Sequence, residues 1–398
     1  MKVIIIGAGI AGLTLAHACR QAGIEVKLYD KAQQLRNIGG GILLWPHGVR
    51  YLKWLGLEAC LQPFSVSIEG CNIIGHDGQQ IFSENYAEIN ALLGGSILPI
   101  DRSAFQQALL TQLPDNLLQL NKACVRVETD EHQAHVIFAD GTEDSADIII
   151  GADGIHSTVR KSLHPLVQPE YTHYCWWGGI IEQKYLPNLT PDRVFVALGV
   201  KKICMIWPAS NDRFMWYLPV KMPLADFQTN DPSQQLHAIC KDWHPHIESL
   251  INAPAVAQSF QLPIYAVAPQ PSWSNNRVVL IGDAAHALGP ILGQGASQAI
   301  EDVYILINCL QRTTLAEIPN ILSHYELLRK NKYAHLAALE NQTAMAMISE
   351  DLASLKAFEA QAAELSLAMM YKDLIPFIDE NACLLLARYL SNIDQLVA

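Results

Sequence analysis

Three short stretches of this chain are apolar without a break, and each runs into glycine. Val3–Ile6, Ile148–Ile150 and Val278–Ile281 are β-branched or leucine-rich runs closed by Gly7, Gly151 and Gly282. That pattern predicts strands buried on both faces of a parallel sheet. After the first run, Leu13–Ala22 reads as a helix stopped by Gly23, and Ile24–Tyr29 reads as a second strand ending in Asp30. The middle of the chain has another character. Runs at 174–181, 193–198, 203–207 and 213–218 are rich in aromatic and β-branched residues and are separated by turn residues, which predicts an antiparallel sheet. Ala299, Ile300, Val303, Ile307 and Leu310 recur at helical spacing after Gly295. Beyond about 335 the chain is rich in Ala, Leu, Met and Glu and reads as helical.

The first βαβ unit carries the clearest chemistry. Gly7-Ala-Gly-Ile-Ala-Gly12 lies between its strand and its helix. In such a unit Gly7 permits the tight turn, Gly9 lets the backbone approach a pyrophosphate, and Gly12 allows close helix–strand packing. The helix start, with Ile10 and Ala11, offers unpaired N–H groups and a partial positive charge. Asp30, followed by Lys31, stands 18 residues past Gly12 and is placed to accept hydrogen bonds from an adenosine ribose. An acid there favours a free 2′-hydroxyl, hence FAD or NAD and not NADP.

Two later segments bear on the same site. Gly151-Ala-Asp-Gly154 follows the second apolar strand, with Ser157 opening a helix and Asp153 either a turn residue or part of a ligand site. Gly282-Asp-Ala-Ala-His286 follows the third, which puts Asp283 at a carboxyl strand end, where α/β sheets bind ligands. Pro290 and Gly293-Gln-Gly-Ala296 then free the backbone just before a helix.

The chain has 398 residues, which at roughly 150 residues per domain suggests two or three domains. Its 27 Lys plus Arg against 39 Asp plus Glu give a formal charge of −12. Nucleic acid and anionic membrane surfaces both need clustered positive charge and are excluded as main partners. The nine cysteines are scattered singly, with neither CxxC nor Cys/His metal spacing. We expect free thiols in a reducing cytoplasm and no metal site. Lys2 and the run Val3–Cys19 imitate a signal peptide, but three glycines and His17 interrupt it, and the βαβ unit explains it better.

Taken together, the initial GxGxxG, the Gly-Ala-Asp-Gly segment and the Gly-Asp-Ala-Ala-His segment resemble those of the single-component FAD-dependent monooxygenases. This is the group of the 4-hydroxybenzoate, salicylate, urate and 6-hydroxynicotinate hydroxylases. The resemblance covers about residues 1–335. It implies an α/β fold: a Rossmann-type FAD-binding domain with an inserted, mainly antiparallel substrate sheet and C-terminal helices. We expect the FAD-binding unit at 1–65, 99–171 and 269–335, the substrate sheet at 66–98 and 172–268, and a helical segment at 336–398. The resemblance further implies bound FAD, transient NADH or NADPH, and O2 as co-substrate, with hydroxylation of a small aromatic or polycyclic compound through a flavin C4a-hydroperoxide.

Residue by residue, it implies Gly7, Gly9 and Gly12 at the pyrophosphate, Asp30 at the ribose, and Arg102 at the phosphates or ribityl chain. Cys124 stands where the family offers backbone groups to adenine. Asp153 would mainly hold the backbone around it, Asp283 would bind the ribityl O3′, and Pro290 with Gly293–Ala296 would flank the isoalloxazine. The helix start behind them would stabilise the anion of the reduced ring. His286 is expected to pack or hydrogen-bond and not to act as a base. No second GxGxxG with its strand and acid is present, nor the halogenase Trp-x-Trp-x-x-Pro.

Trp177, Met205, Trp207 and Met215, with Trp176 and Trp216, are candidates to line a dry pocket over the flavin. The catalytic residue, if any, is not assigned. The chain departs from family patterns at Trp177-Gly-Gly179, where many members have Trp-Arg-Gly, and at His47, which replaces an Asn. It departs again at Ile203 and Met215, which occupy positions of the urate enzymes' polar partners. These departures point to a larger or less charged aromatic than urate or a benzoate. A reductase or dehydrogenase on the same fold, without oxygen insertion, is the alternative, and a non-enzymatic flavin regulator a third reading. Leu384-Leu-Leu-Ala387 either seals the back of the FAD unit or forms a homodimer contact.

Overall fold

The computed structural model describes residues 1–362 apart from 36–39, 63, 65, 67, 88, 89, 91–94, 210, 211 and 228–231. Leu384–Ala387 therefore lies outside the described residues. The first apolar run forms β1 (Lys2–Ile6), flanked in parallel by β2 (Glu25–Tyr29) and β11 (Ile148–Gly151). β18 (Val278–Leu280) pairs in parallel with β11, and β7 (Leu118–Gln119) and β17 (Ser274–Asn275) complete a six-stranded sheet. Ile4, Ile5, Ile149 and Val279 are fully buried, as unbroken apolar strands covered on both faces require. Each such side chain contributes roughly 1.5–3 kcal/mol by leaving water. α1 (Ile10–Gln21) and α5 (Gly295–Leu310) pack on one face of this sheet. A three-stranded meander, β8–β10 (Cys124–Thr129, Ala134–Phe138, Glu143–Ala146), covers the other. Between α1 and α5 in the chain lie α2 (Pro46–Trp54), α3 (Arg102–Thr111) and α4 (Thr158–Leu163).

The aromatic middle forms a seven-stranded sheet in the order β16-β12-β15-β14-β13-β4-β5. Its strands are β4 (Gly70–Ile74), β5 (Gln80–Asn85), β12 (Pro169–Glu182), β13 (Arg193–Gly199), β14 (Lys202–Ala209), β15 (Arg213–Lys221) and β16 (Phe260–Val267). All pairs are antiparallel except β4 with β13. One face packs on helices drawn from 224–256, and the other on the first unit. A ribbon of β3 (Gly41–Leu44) and β6 (Leu98–Asp101) makes that junction. A Cβ at Gly41 would overlap the Met215 sulfur at 1.6 Å, and the Tyr217 hydroxyl donates to the Gly41 carbonyl oxygen at 2.5 Å.

α6 (Ile318–Met347) is one helix of 30 residues, so the expected boundary at 335/336 falls inside an unbroken element. Its buried Tyr325 packs in the core of the first unit, its Leu336 in the core beneath the large sheet, and its buried Arg329 pairs with Glu301 and Asp302 of α5. α7 (Leu352–Ala362) follows, and Glu359 receives the His76 N–H at 2.8 Å.

Candidate active site

Two helix starts face one cavity at the junction. α1 begins after Gly9 and α5 after Gln294, and neither has a side-chain cap, so their first-turn N–H groups are left for another partner. The glycines around them divide by task. A Cβ on Gly12 would sit 1.9 Å from the Gly7 carbonyl oxygen, and one on Gly7, whose φ is +109°, would sit 2.3 Å from that of Ala152. Those two are required by backbone packing. Gly9 and Gly295 have nothing within 4 Å of the Cβ position and stand open.

The cavity measures about 330 Å³ and is lined by Gly9, Ile10, Ala11, Arg102 and Asp283. Pro290, Gly293, Gly295 and Ala296 line it as well, and Trp176, Met205, Trp207 and Tyr217 form the wall from the large sheet. A small-molecule site is the size class this fits. Gln106, one turn past Arg102 along α3, donates its Nε2 to the Ala8 carbonyl oxygen at 2.7 Å, which ties α3 to the glycine loop, and the Arg102 N–H donates to the Gly40 carbonyl oxygen at 3.4 Å.

Other expected residues stand behind the cavity and hold it. Asp30 accepts the Ala8 and Ala32 N–H groups at 2.7 and 2.8 Å. A carboxylate with about four acceptor sites still has capacity for hydroxyls. Lys31 is exposed beside it. Asp153 accepts from the Ser157 hydroxyl at 2.5 Å and the Thr158 N–H at 2.7 Å, so it braces the start of α4, and burial raises its pKa against those bonds. Burial also pushes the Cys124 thiol up to about 12, which leaves it neutral and unreactive. Gln294 is buried and meets Gln298 at 3.3 Å.

His286 does pack, on Trp273 and Tyr333, and its Nε2 meets Asp302 Oδ2 at 2.5 Å. Asp302 also accepts the Gly282 N–H at 2.7 Å and Arg329 Nε at 2.6 Å. Although burial opposes it, His286 and Arg329 hold the Asp302 carboxyl down at about 2. Glu301 next to it pairs with Lys332 and Arg329. This buried network fixes the Gly282–Asp283 turn that presents Asp283 to the cavity. His47 is also buried, 3.3 Å from Gln298. Burial and the charges of Lys332, Arg329 and Arg50 keep its pKa well below the imidazole range.

The sheet wall corrects one expectation. Side chains alternate along a strand, so Trp177, with Leu218 opposite it and Trp216 two residues before Leu218, points away from the cavity, into the core beneath the 224–256 helices. Trp176 takes the place expected of Trp177. Met205 and Trp207 do line the cavity, whereas Met215 lies on the same face but is pressed against Gly41. Tyr217, Leu43 and Ile291 also line it and were not singled out from sequence. Tyr217 follows Met215 on the same face at period two, a signal that was available. The β3 residues follow no such pattern.

Comparison with known proteins agrees with this geometry. The FAD binding domain family matches residues 1–331. The 3-amino-4-hydroxybenzoate 2-monooxygenase of Streptomyces cremeus is 31% identical, over 84% of this chain and 85% of its own length. The aurachin C monooxygenase/isomerase of Stigmatella aurantiaca is 29% identical, over 83% and 85%. The crystal structure of Klebsiella pneumoniae HpxO complexed with FAD and uric acid superposes with a TM-score of 0.87 at 26% identity, covering 95% of this chain and 96% of that one. With its glycine loop, its paired uncapped helix starts and its aromatic sheet wall, this chain belongs to the FAD binding domain family, as an FAD-dependent aromatic-compound monooxygenase.

Proposed function

We propose that this enzyme oxygenates a neutral, electron-rich aromatic compound. The observation that carries this reading is the substrate wall itself. Trp176, Met205, Trp207, Leu43, Leu288 and Ile291 bring no charge to it, and the hydroxyl of Tyr217 is spent on Gly41. Burying a carboxylate there without a cation would cost several kcal/mol. The two charged side chains that line the cavity, Arg102 and Asp283, are assigned in this reading to the flavin. Flat aromatic walls favour a flat aromatic ligand through offset and edge contacts.

In this reading the α1 start and Gly9 receive the FAD pyrophosphate, Asp30 the ribose, Arg102 the phosphates or ribityl chain, and Asp283 a ribityl hydroxyl. Gly293–Ala296 and Pro290 flank the ring, with the α5 start stabilising negative charge on it. When bound, FAD supplies the redox chemistry: it takes hydride from NADH or NADPH and activates O2. The chain's own part is to hold the ring and the substrate in contact, to exclude water, and to keep Trp176, Trp207 and Tyr217 around the acceptor. Relatives named as monooxygenases do not favour the reductase alternative.

The test uses 2-naphthol, a neutral two-ring phenol, against salicylate and urate. We expect 2-naphthol to accelerate NAD(P)H oxidation and to yield product carrying one 18O from labelled O2. Tight binding of salicylate or urate with coupled hydroxylation would refute the neutral-substrate reading. Product without label would remove oxygen insertion.

A further inference from the structure

A buried acid stands directly behind the cavity wall. Glu340 of α6 is 3% exposed, and its two carboxylate oxygens accept the Ile291 and Leu292 N–H groups, each at 2.8 Å. Gly289 completes the fit, because a Cβ there would come within 2.5 Å of Glu340 Oε1, and the nearest three atoms it would meet are all Glu340's. Gly289, Pro290 and Ile291 line the cavity. The Leu292 carbonyl oxygen accepts the Trp45 indole N–H at 3.2 Å, so the segment is pinned from both sides.

The neighbouring cations of α6 are committed elsewhere: Lys332 and Arg329 pair with Glu301 and Asp302. Across from Glu340, β12 presents Tyr174, which in turn faces Lys221 and Glu350. The segment 289–292 presents backbone amides and no ionisable side chain. A carboxylate taking two amides is therefore the fastening of this wall, and among the described residues those two amides are its hydrogen-bond partners.

We propose that Glu340 is a positioning residue for oxygenation, clamping the 289–292 wall against the flavin ring so that water is kept from the reacting face. The inference rests on the reading that FAD occupies this cavity. A carboxylate offers two acceptors to two donors, and glutamine offers one acceptor and a repelling NH2 group. Removal of a buried charge without a counter-ion also relieves a desolvation cost, so Glu340→Gln is expected to fold.

The experiment takes full-length, FAD-loaded wild type, Glu340→Gln and Gly289→Ala. It reads amide hydrogen exchange at Ile291 and Leu292, corrected for intrinsic chemistry, and iodide quenching of the bound flavin. Both variants should keep FAD, exchange about tenfold faster at those two amides, and expose the flavin several-fold more to iodide. Burial pushes the Glu340 carboxyl up to about 7. Wild-type protection at the two amides should therefore fall as pH drops through 7, and that dependence should vanish in Glu340→Gln. Unchanged exchange and quenching in FAD-bound Glu340→Gln would overturn the inference alone. Failure of wild type to bind FAD would overturn the reading beneath it.

Discussion

Replacing Asp302 with asparagine tests how the turn at Gly282–Asp283 is held. The side chain is fully buried, and its oxygens serve Gly282 N–H, His286 and Arg329 within 2.7 Å. Asparagine keeps the shape but removes the charge and turns an NH2 group toward donors. Arg329 is then left with Glu301, which it must share with Lys332. Breaking a buried pair by removing one partner costs about 3–5 kcal/mol. With an unfolding entropy near 2.1 cal/mol/K per residue, a chain of this length should lose about 4–6 °C in apparent midpoint. The same change loosens the turn that presents Asp283, so FAD should dissociate more readily as well. Thermal unfolding with and without excess FAD, followed by tryptophan and flavin fluorescence, measures both effects. A midpoint shift under 1 °C with unaltered FAD affinity would refute the assignment of this network to the turn.

Gly12→Ala should abolish FAD binding or folding, since its Cβ would lie 1.9 Å from a backbone oxygen that cannot retreat; flavin content of the purified variant checks this. Trp207→Ala should raise KM for 2-naphthol at least tenfold with little loss of stability. Trp177→Ala should do the reverse, costing about 3–5 kcal/mol of stability from its core position. Steady-state kinetics paired with denaturant unfolding separates the two, and identical profiles would refute the face assignment. Asp283→Ala should weaken FAD retention about tenfold, read by equilibrium dialysis.

Much of the FAD half was legible because its signals are local. β1, α1, β2 and Asp30 follow one another within 30 residues, and Gly7 and Gly12 have backbone reasons that the structure supplies. Ser157 does cap α4, accepting the Arg160 N–H at 2.9 Å, as its position predicted. The substrate wall was less legible. Trp176 and Trp177 are adjacent, and period two says that only one can face the cavity, but which one depends on the side from which β3 packs. Glu340 was invisible for a different reason: its partners are backbone amides 48 and 49 residues earlier, and such a bond leaves no side-chain pattern. The expected boundary at 335/336 lies inside the single helix Ile318–Met347, and composition alone does not mark where one helix runs on.

The most direct test of where the flavin lies is FAD titration of apo wild type and of Gly295→Phe. Position 295 opens on the cavity with nothing within 4 Å of its Cβ direction and a φ that any residue adopts, so the phenyl ring can be added without disturbing the fold. We predict one FAD per wild-type chain with altered flavin fluorescence, and loss of binding in a Gly295→Phe protein that unfolds at the wild-type temperature. Equal FAD affinity in both proteins would contradict a flavin held before the start of α5.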